Sequence, residues 1–230
     1  AALAAGKTGA QTILVDEQPN LGGQLLIESE RTIDNSVLKW VKESEISLNN
    51  MEDVTILKKT TAFGFYEHNF VGLIETKTPA SKNQNNQPRQ RMWRVHPKEI
   101  ILATGAIERP LIFADNDRPG IMLASAYRTY TNQYGIIPNR EIVVFTNNDD
   151  AYRTAIDLHA VGVKIPAIID VRTNPDGELP TIAAELGINI LENAGITNVI
   201  GTKSIEAIDV MTLNENGDGL VGDVNRIKCS

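Results

Sequence analysis

Gly9 to Leu25 reads GAQTILVDEQPNLGGQL. An apolar run, Thr12–Val15, leads straight into two acids, Asp16 and Glu17, and a glycine pair follows at Gly22 and Gly23. A short uninterrupted apolar run with β-branched residues is the pattern of a strand buried on both faces of a parallel sheet. An acid at the tip of such a strand is where a βαβ unit holds the ribose hydroxyls of a dinucleotide. Asp16 stands at that tip, seven positions after Gly9. A carboxylate there favours a free 2′-hydroxyl over a 2′-phosphate, because like charges repel. Gly22 and Gly23 let backbone come close to a nucleotide with no Cβ in the way. The same residues also fit a plain strand end followed by a tight turn. The phosphate-binding glycine loop of such a unit is expected just before Ala1.

Working outward, residues 1–8 read as a helix stopped at Gly9, and Val37–Leu48 as a second helix from its apolar spacing. Strands are expected at Val54–Leu57, Thr61–Tyr66 and Phe70–Thr76. Lys77–Arg91 is polar and rich in turn formers, so a surface loop or hairpin tip is expected. MWRV, Met92–Val95, resumes a strand. KEIILATGA reads as a buried strand ending in a small-residue turn that places Thr104 and Gly105 at its carboxyl end, where ligands sit in open α/β sheets.

A second block repeats the plan after a proline-rich crossing, ERPLIFADNDRPGIM. Leu123–Tyr134 reads as a helix, Glu141–Phe145 as a strand and Asp149–Ala160 as a helix. VKIPAIIDVR is read as a strand, Leu179–Leu186 as a helix and INIL as a strand. Antiparallel strands follow, with a hairpin turn at Asn214–Gly219. The implied fold class is α/β, with two dinucleotide-binding-like units, 1–118 and 119–230. In the second unit, VVFTNNDDAYRTAIDL puts Thr146 and Asn148 where a phosphate loop keeps its first two glycines, with Ala151 at the third place. Asp149 and Asp150 are expected to cap the helix and bring negative charge to its N–H groups, which a pyrophosphate would otherwise use. The second unit therefore reads as a structural copy with its nucleotide site closed.

Bulk properties narrow the function. A net charge of -7 and a pI near 5.1 argue against a general nucleic-acid surface or an anionic membrane. No apolar run approaches a bilayer span, and no signal peptide is legible. A single cysteine, Cys229, excludes an internal disulfide and fits a cytoplasmic setting. His68, His96 and His159 lie far apart without metal-ligand spacing, so no metal is expected. No residue can be assigned as catalytic. Tyr127, Tyr130 and Tyr134 are expected to pack, and Arg89, Arg91 and Arg94 around Trp93 to decorate a solvated hairpin. Both ends fall inside elements, from which a fragment of a longer polypeptide is inferred.

Four segments together, ILVDEQPNLGGQLL, TTAFGFYEHN, IILATGAIERPLIFADNDRPGIMLASA and VVFTNNDDAYRTAIDL, resemble the α subunits of heterotetrameric sarcosine oxidase. They also resemble the α subunits of opine oxidase, hydrogen cyanide synthase and dye-linked proline dehydrogenase. The resemblance covers nearly all of the chain and implies a disulfide-reductase-type fold. It implies NAD held as a tight, non-reacting ligand in the first unit, with FAD there in relatives. In the whole enzyme it implies FAD in the β subunit, FMN at the α/β interface, tetrahydrofolate at a C-terminal domain, and β, γ and δ partners. It places Asp16, Glu17 and Gln18 at the adenosine ribose and Gln24 near phosphate or ribose. The backbone of Ala62 or Phe63 then faces the adenine, with Thr104 and Gly105 in the A-T-G turn. Gln18 stands where some members carry a basic residue. The activity implied is oxidative demethylation of sarcosine with oxygen as acceptor. FAD-dependent oxidation of an opine or proline is the second reading, and a structural module without nucleotide the third.

Overall fold

The computed structural model describes residues 1–29, 35–77 and 88–230. The chain forms two compact units, Ala1–Leu26 with Asp34–Ala106, and Ile27–Ile33 with Ile107–Ser230. Each pairs short parallel strands through helices and adds a three-stranded antiparallel sheet.

In the first unit α1 spans Ala2–Lys7, β1 Thr12–Val15, α2 Asn35–Asn49 and β2 Val54–Leu57. β1 and β2 pair in parallel with Val15 opposite Leu57. A parallel pair needs a crossover, and α2 supplies it. Its inward residues are Val37, Leu38, Val41, Ser44, Glu45 and Leu48, while Trp40 and Ile46 lie outside. That spacing is the single stripe of an amphipathic helix laid on a sheet. β3 (Thr60–Tyr66), β4 (Phe70–Thr76) and β5 (Gln90–Val95) form the antiparallel sheet in that order. Most of the loop expected at Lys77–Arg91 lies outside the described residues. On β5, Arg91 stacks over Trp93, whose Nε1 donates to Glu75 at 2.8 Å.

In the second unit α3 spans Ala124–Arg128, β6 Val144–Thr146, α4 Asp150–Ala160, β7 Ile168–Asp170, α5 Glu178–Glu185 and β8 Ile190–Leu191. β6, β7 and β8 pair in parallel. β9 (Ala194–Ile200), β10 (Ala207–Leu213) and β11 (Leu220–Lys228) form an antiparallel meander. The hairpin expected at Asn214–Gly219 is present, with Asn214 Oδ1 accepting the N–H groups of Asp218 and Gly219. Tyr152, Ala155, Leu158 and Ile168 lie at the centre of this unit's core.

Four expectations are corrected. Residues 99–105 are neither a strand nor buried; Ile101 is 68% and Leu102 83% exposed. Strand formation needs a neighbour to take the N–H and C=O groups, and among the described residues β1 pairs only with β2. The helix expected over Leu123–Tyr134 is α-helical only through Arg128 and continues as a π-turn over Thr129–Gln133. Of the three tyrosines spaced along it, Tyr127 is buried while Tyr130 and Tyr134 are exposed. The strand read over Val163–Arg172 is confined to Ile168–Asp170, because Pro166 has no N–H for the ladder.

Candidate functional site

The first unit keeps Asp16 immediately after β1, half-buried. Its Oδ1 accepts the Gln18 N–H at 2.9 Å. Its backbone is held between strands: the Asp16 N–H donates to Leu57 O at 3.0 Å, and Asp16 O accepts from Thr60 N at 3.0 Å. Lys59 N donates to Gln18 O at 3.1 Å. The strand tip is therefore stitched to the start of β3, which carries Ala62 and Phe63 two and three residues further on. Glu17 and Gln18 are exposed beside it.

Ala62 pairs with Leu73 and Gly64 with Gly72, so the register shifts and Phe63 is the unpaired, bulged residue. A bulge leaves backbone groups out of the ladder and re-aims the strand. β3 is also the edge of its sheet. Phe63 lays its ring over Gly72, where an added Cβ would meet the ring tip at 2.4 Å.

A second group sits at the glycine pair. Gly22 has φ +130° and Gly23 φ +53°, conformations that side chains resist. At Gly22 an added Cβ would also press on Leu26 and Val41, at 2.9 and 3.0 Å. At Gly23 and at Gly105 (φ +72°) it would meet nothing within 4 Å. Both glycines thus present bare backbone to open space, the arrangement a pyrophosphate or ribose needs for close approach. Gln24 is the second residue of the 3-10 turn Gly23–Ile27, and its Nε2 donates to Ala106 O at 3.2 Å. That bond brings the glycine pair to the Thr104-Gly105 turn across 82 positions. Thr104 and Gly105 are exposed. Among the described residues no hydrogen bond joins this group to the Asp16–Phe63 group. The residues present fit the adenosine half of a dinucleotide, with one acid for sugar hydroxyls, a bulged edge for a base, and two open glycine backbones.

The second unit has the same strand tip in a different state. Asp170 ends β7 as Asp16 follows β1, and its Oδ1 accepts the N–H two residues on, from Arg172, at 2.9 Å. There the likeness stops. Asp170 is 0% exposed. Arg172 also gives it a fork, Nε to Oδ1 at 3.0 Å and Nη2 to Oδ2 at 2.7 Å. The Tyr152 hydroxyl donates to Oδ2 at 2.8 Å. Burial, that hydrogen bond and the Asp170 charge hold the Tyr152 hydroxyl well above the ordinary phenol value. The bonds to Asp170 hold Arg172 above its own ordinary value, with help from Asp149. Nη1 of Arg172 ion-pairs with Asp149 Oδ1 at 2.8 Å, at the start of α4.

The turn before α4 is closed by its own side chains. Thr146 Oγ1 accepts the Asn148 N–H at 3.1 Å and donates to Asn148 O at 2.8 Å. Asn148 Oδ1 accepts the Asp150 N–H at 3.0 Å. This corrects the expected cap: Asn148 takes a helix N–H, while Asp149 makes no side-chain cap bond and turns to Arg172 instead. Near the same helix start, Arg128, 1% exposed, bonds Glu28 at 2.7 Å and Asp150 O at 3.5 Å. Asp157, buried on α4, accepts from Asn132 and Ser29. Arg172, Tyr152, Asp170 and Glu28 were not singled out in the sequence. A signal for Arg172 was there, since Asp16-x-Gln18 and Asp170-x-Arg172 align strand tip to strand tip.

His68 lies in the β3–β4 turn, His96 stacks 5.0 Å from Phe70, and His159 closes the last turn of α4. No helix among the described residues is long and apolar enough to cross a membrane.

No family model matches the chain. It is similar to sarcosine oxidase α subunits over nearly its whole length. Identity is 39% over 215 residues to that of Rhizobium meliloti (strain 1021), covering 91% of this chain and 21% of the relative. It is 34% over 233 residues to that of Corynebacterium sp. (strain U-96), covering 99% and 24%. The chain thus spans under a quarter of the length of these relatives. Among solved structures it is similar to L-proline dehydrogenase from P. horikoshii, with TM-score 0.60 and 18% identity over 99% of this chain and 37% of that one. It is also similar to T. acidophilum thioredoxin reductase, with TM-score 0.64 and 14% identity over 99% and 69%. An amine oxidase from Pseudomonas geniculata N1 gives TM-score 0.62 and 19% identity over 100% and 31%. These likenesses show the fold: α/β, with Rossmann-like units as in thioredoxin reductase.

Proposed function

We propose that this chain is the nucleotide-binding part of the α subunit of a heteromeric sarcosine oxidase, an oxidoreductase acting on a CH–NH donor with oxygen as acceptor. In that reading it is a piece of a longer polypeptide that works in the cytoplasm with β-, γ- and δ-type partners. FAD and FMN belong to the assembled enzyme, and tetrahydrofolate to a further domain. The observation that carries the proposal is the half-buried Asp16 tip stitched to the bulged Phe63 edge, within a chain 39% identical to such a subunit.

Asp16 would accept the adenosine ribose hydroxyls, with Glu17 and Gln18 at the rim. The backbone of Ala62 or Phe63 would face the adenine. Gly22, Gly23, Gln24, Thr104 and Gly105 would line the path of the ribose and phosphates. NAD in this site would be a held ligand that takes no part in electron transfer; FAD would accept a hydride. This chain's own residues bind and orient, and none is placed as catalytic. The fold shared with L-proline dehydrogenase supports a second reading, the FAD-binding α subunit of an opine oxidase or an amine or proline dehydrogenase. A structural module without nucleotide is the third.

The test is to purify the full-length polypeptide, denature it and identify what it releases. NAD supports the first reading and FAD the second. Release of no nucleotide rejects both in favour of the structural module.

A further inference from the structure

We infer that the second unit carries, in place of a dinucleotide site, a guanidinium cradle made by Asp170 and Asp149 and filled by the chain's own Arg172. The inference concerns a unit other than the one proposed to hold nucleotide, and it does not depend on which nucleotide that is.

A dinucleotide needs two things from a βαβ unit: an acid free for ribose hydroxyls and a helix N-terminus free for phosphate. In the second unit both are bridged by one side chain. The guanidinium fork of Arg172 covers Asp170, the acid that ends β7, at 2.7 and 3.0 Å. Its remaining nitrogen reaches Asp149, at the start of α4, at 2.8 Å. Tyr152, from the first turn of α4, saturates Asp170 from the other side.

The geometry is specific to a planar fork. Two parallel N–H bonds to one carboxylate and a third nitrogen turned to another suit guanidinium and not ammonium. The place is sized for it as well. Gly177 stands where a Cβ would come 2.3 Å from Asp149 Oδ2, so a side chain there would displace the acid that receives Arg172. Two N–H groups of the loop, at Asn148 and Asp150, are already taken by Thr146 and Asn148. In the intact chain the Asp149 charge is balanced by Arg172; with Arg172 removed, the acids themselves would repel a phosphate. Without Arg172 the cradle would hold two uncovered carboxylates and would favour a small planar cation.

Arg172 is 33% exposed along its side chain, so a small solute can reach its place. The test replaces Arg172 by Ala in the full-length polypeptide and follows thermal unfolding. A loss on the order of 5 °C is expected for removing one partner of a buried pair. Millimolar methylguanidinium should restore much of that loss in a saturable way. Equal methylammonium or sodium chloride should not, and the parent should not respond. Titration of the variant with NADPH should show no binding. Arg172→Lys, which keeps the charge and the fold, should unfold between the parent and Arg172→Ala. The inference is overturned if Arg172→Ala gains NADPH binding, if salt or methylammonium rescues as well as methylguanidinium, or if Arg172→Lys matches the parent.

Discussion

Two aspartates hold equivalent places at the tips of parallel strands, and each accepts the N–H of the residue two positions on at 2.9 Å. Asp16 stops there, half-buried with a side chain that takes no other bond among the described residues. Asp170 goes on to receive a tyrosine hydroxyl and a guanidinium fork and loses all contact with solvent. One tip keeps an unfilled carboxylate oxygen among the described residues; the other is satisfied by the protein. The same difference runs through the loops. Gly23 and Gly105 face open space in the first unit, while Thr146 and Asn148 fold onto their own backbone in the second. A βαβ scaffold survives because its packing is useful on its own, and whether it binds is set by which polar groups are left unfilled.

The sharpest break of this comparison is Asp170→Ala. It strips two donors, Arg172 and Tyr152, of a partner in a closed interior, and about 3–5 kcal/mol of stability should be lost in urea unfolding. A loss below about 1 kcal/mol would mean that the network contributes no more than a surface ion pair.

A second effect separates the units by pH. Cys229 is buried in the second unit, and burial, with the Glu141 charge adding to it, pushes its thiol up to about 11 from an ordinary 9.0. The neutral thiol is favoured in the folded state. Its stabilisation is complete below pH 9 and is lost as pH rises through about 11, because the unfolded chain gives up its proton first. Stability should fall by on the order of 2 kcal/mol over that window, and Cys229→Ala should flatten the fall. In the first unit Glu75 shifts the other way. Burial alone would raise its carboxyl, but hydrogen bonds from Lys77 and Trp93 and the charges of Lys77 and Arg91 bring it below the ordinary range. Stability owed to Glu75 is therefore present near neutrality and lost only in acid.

Tyr152→Phe is milder. Asp170 keeps its fork, so the loss of one hydrogen bond should cost about 1 kcal/mol in the same urea assay. Asp16→Ala should cost least, under about 0.5 kcal/mol without ligand, because among the described residues the side chain takes one local bond. If the proposed site is right, its effect belongs to binding: losing charge-assisted bonds to sugar hydroxyls should weaken dinucleotide affinity about 10–100-fold, read by calorimetry on stripped protein.

Much of this architecture was legible because it is local. The strand tip at Asp16, the amphipathic face of α2, the glycine pair, α4 and the Asn214 hairpin follow from periodicity and turn chemistry within a few residues. What failed was non-local. Residues 99–105 carry the composition of a buried strand, yet composition cannot supply the neighbour that strand pairing requires. The Gln24–Ala106 bond spans 82 positions, and the Arg172–Asp149 pair joins a strand end to the start of a helix that precedes it in the chain. The acids of the TNNDD turn are visible in the sequence, but the pairing of Asp149 with Arg172, 23 positions on, is not. Pro166 was a readable stop that the apolar run around it masked.

The most direct measurement counts dinucleotide released per chain from three forms of the full-length polypeptide: parent, Asp16→Ala, and Asp170→Asn checked for folding by circular dichroism. One equivalent is expected from the parent and from folded Asp170→Asn, and clearly less than one from Asp16→Ala after dialysis. Full retention by Asp16→Ala, or loss from folded Asp170→Asn, would contradict the assignment of the open tip to the ligand and the filled tip to the fold.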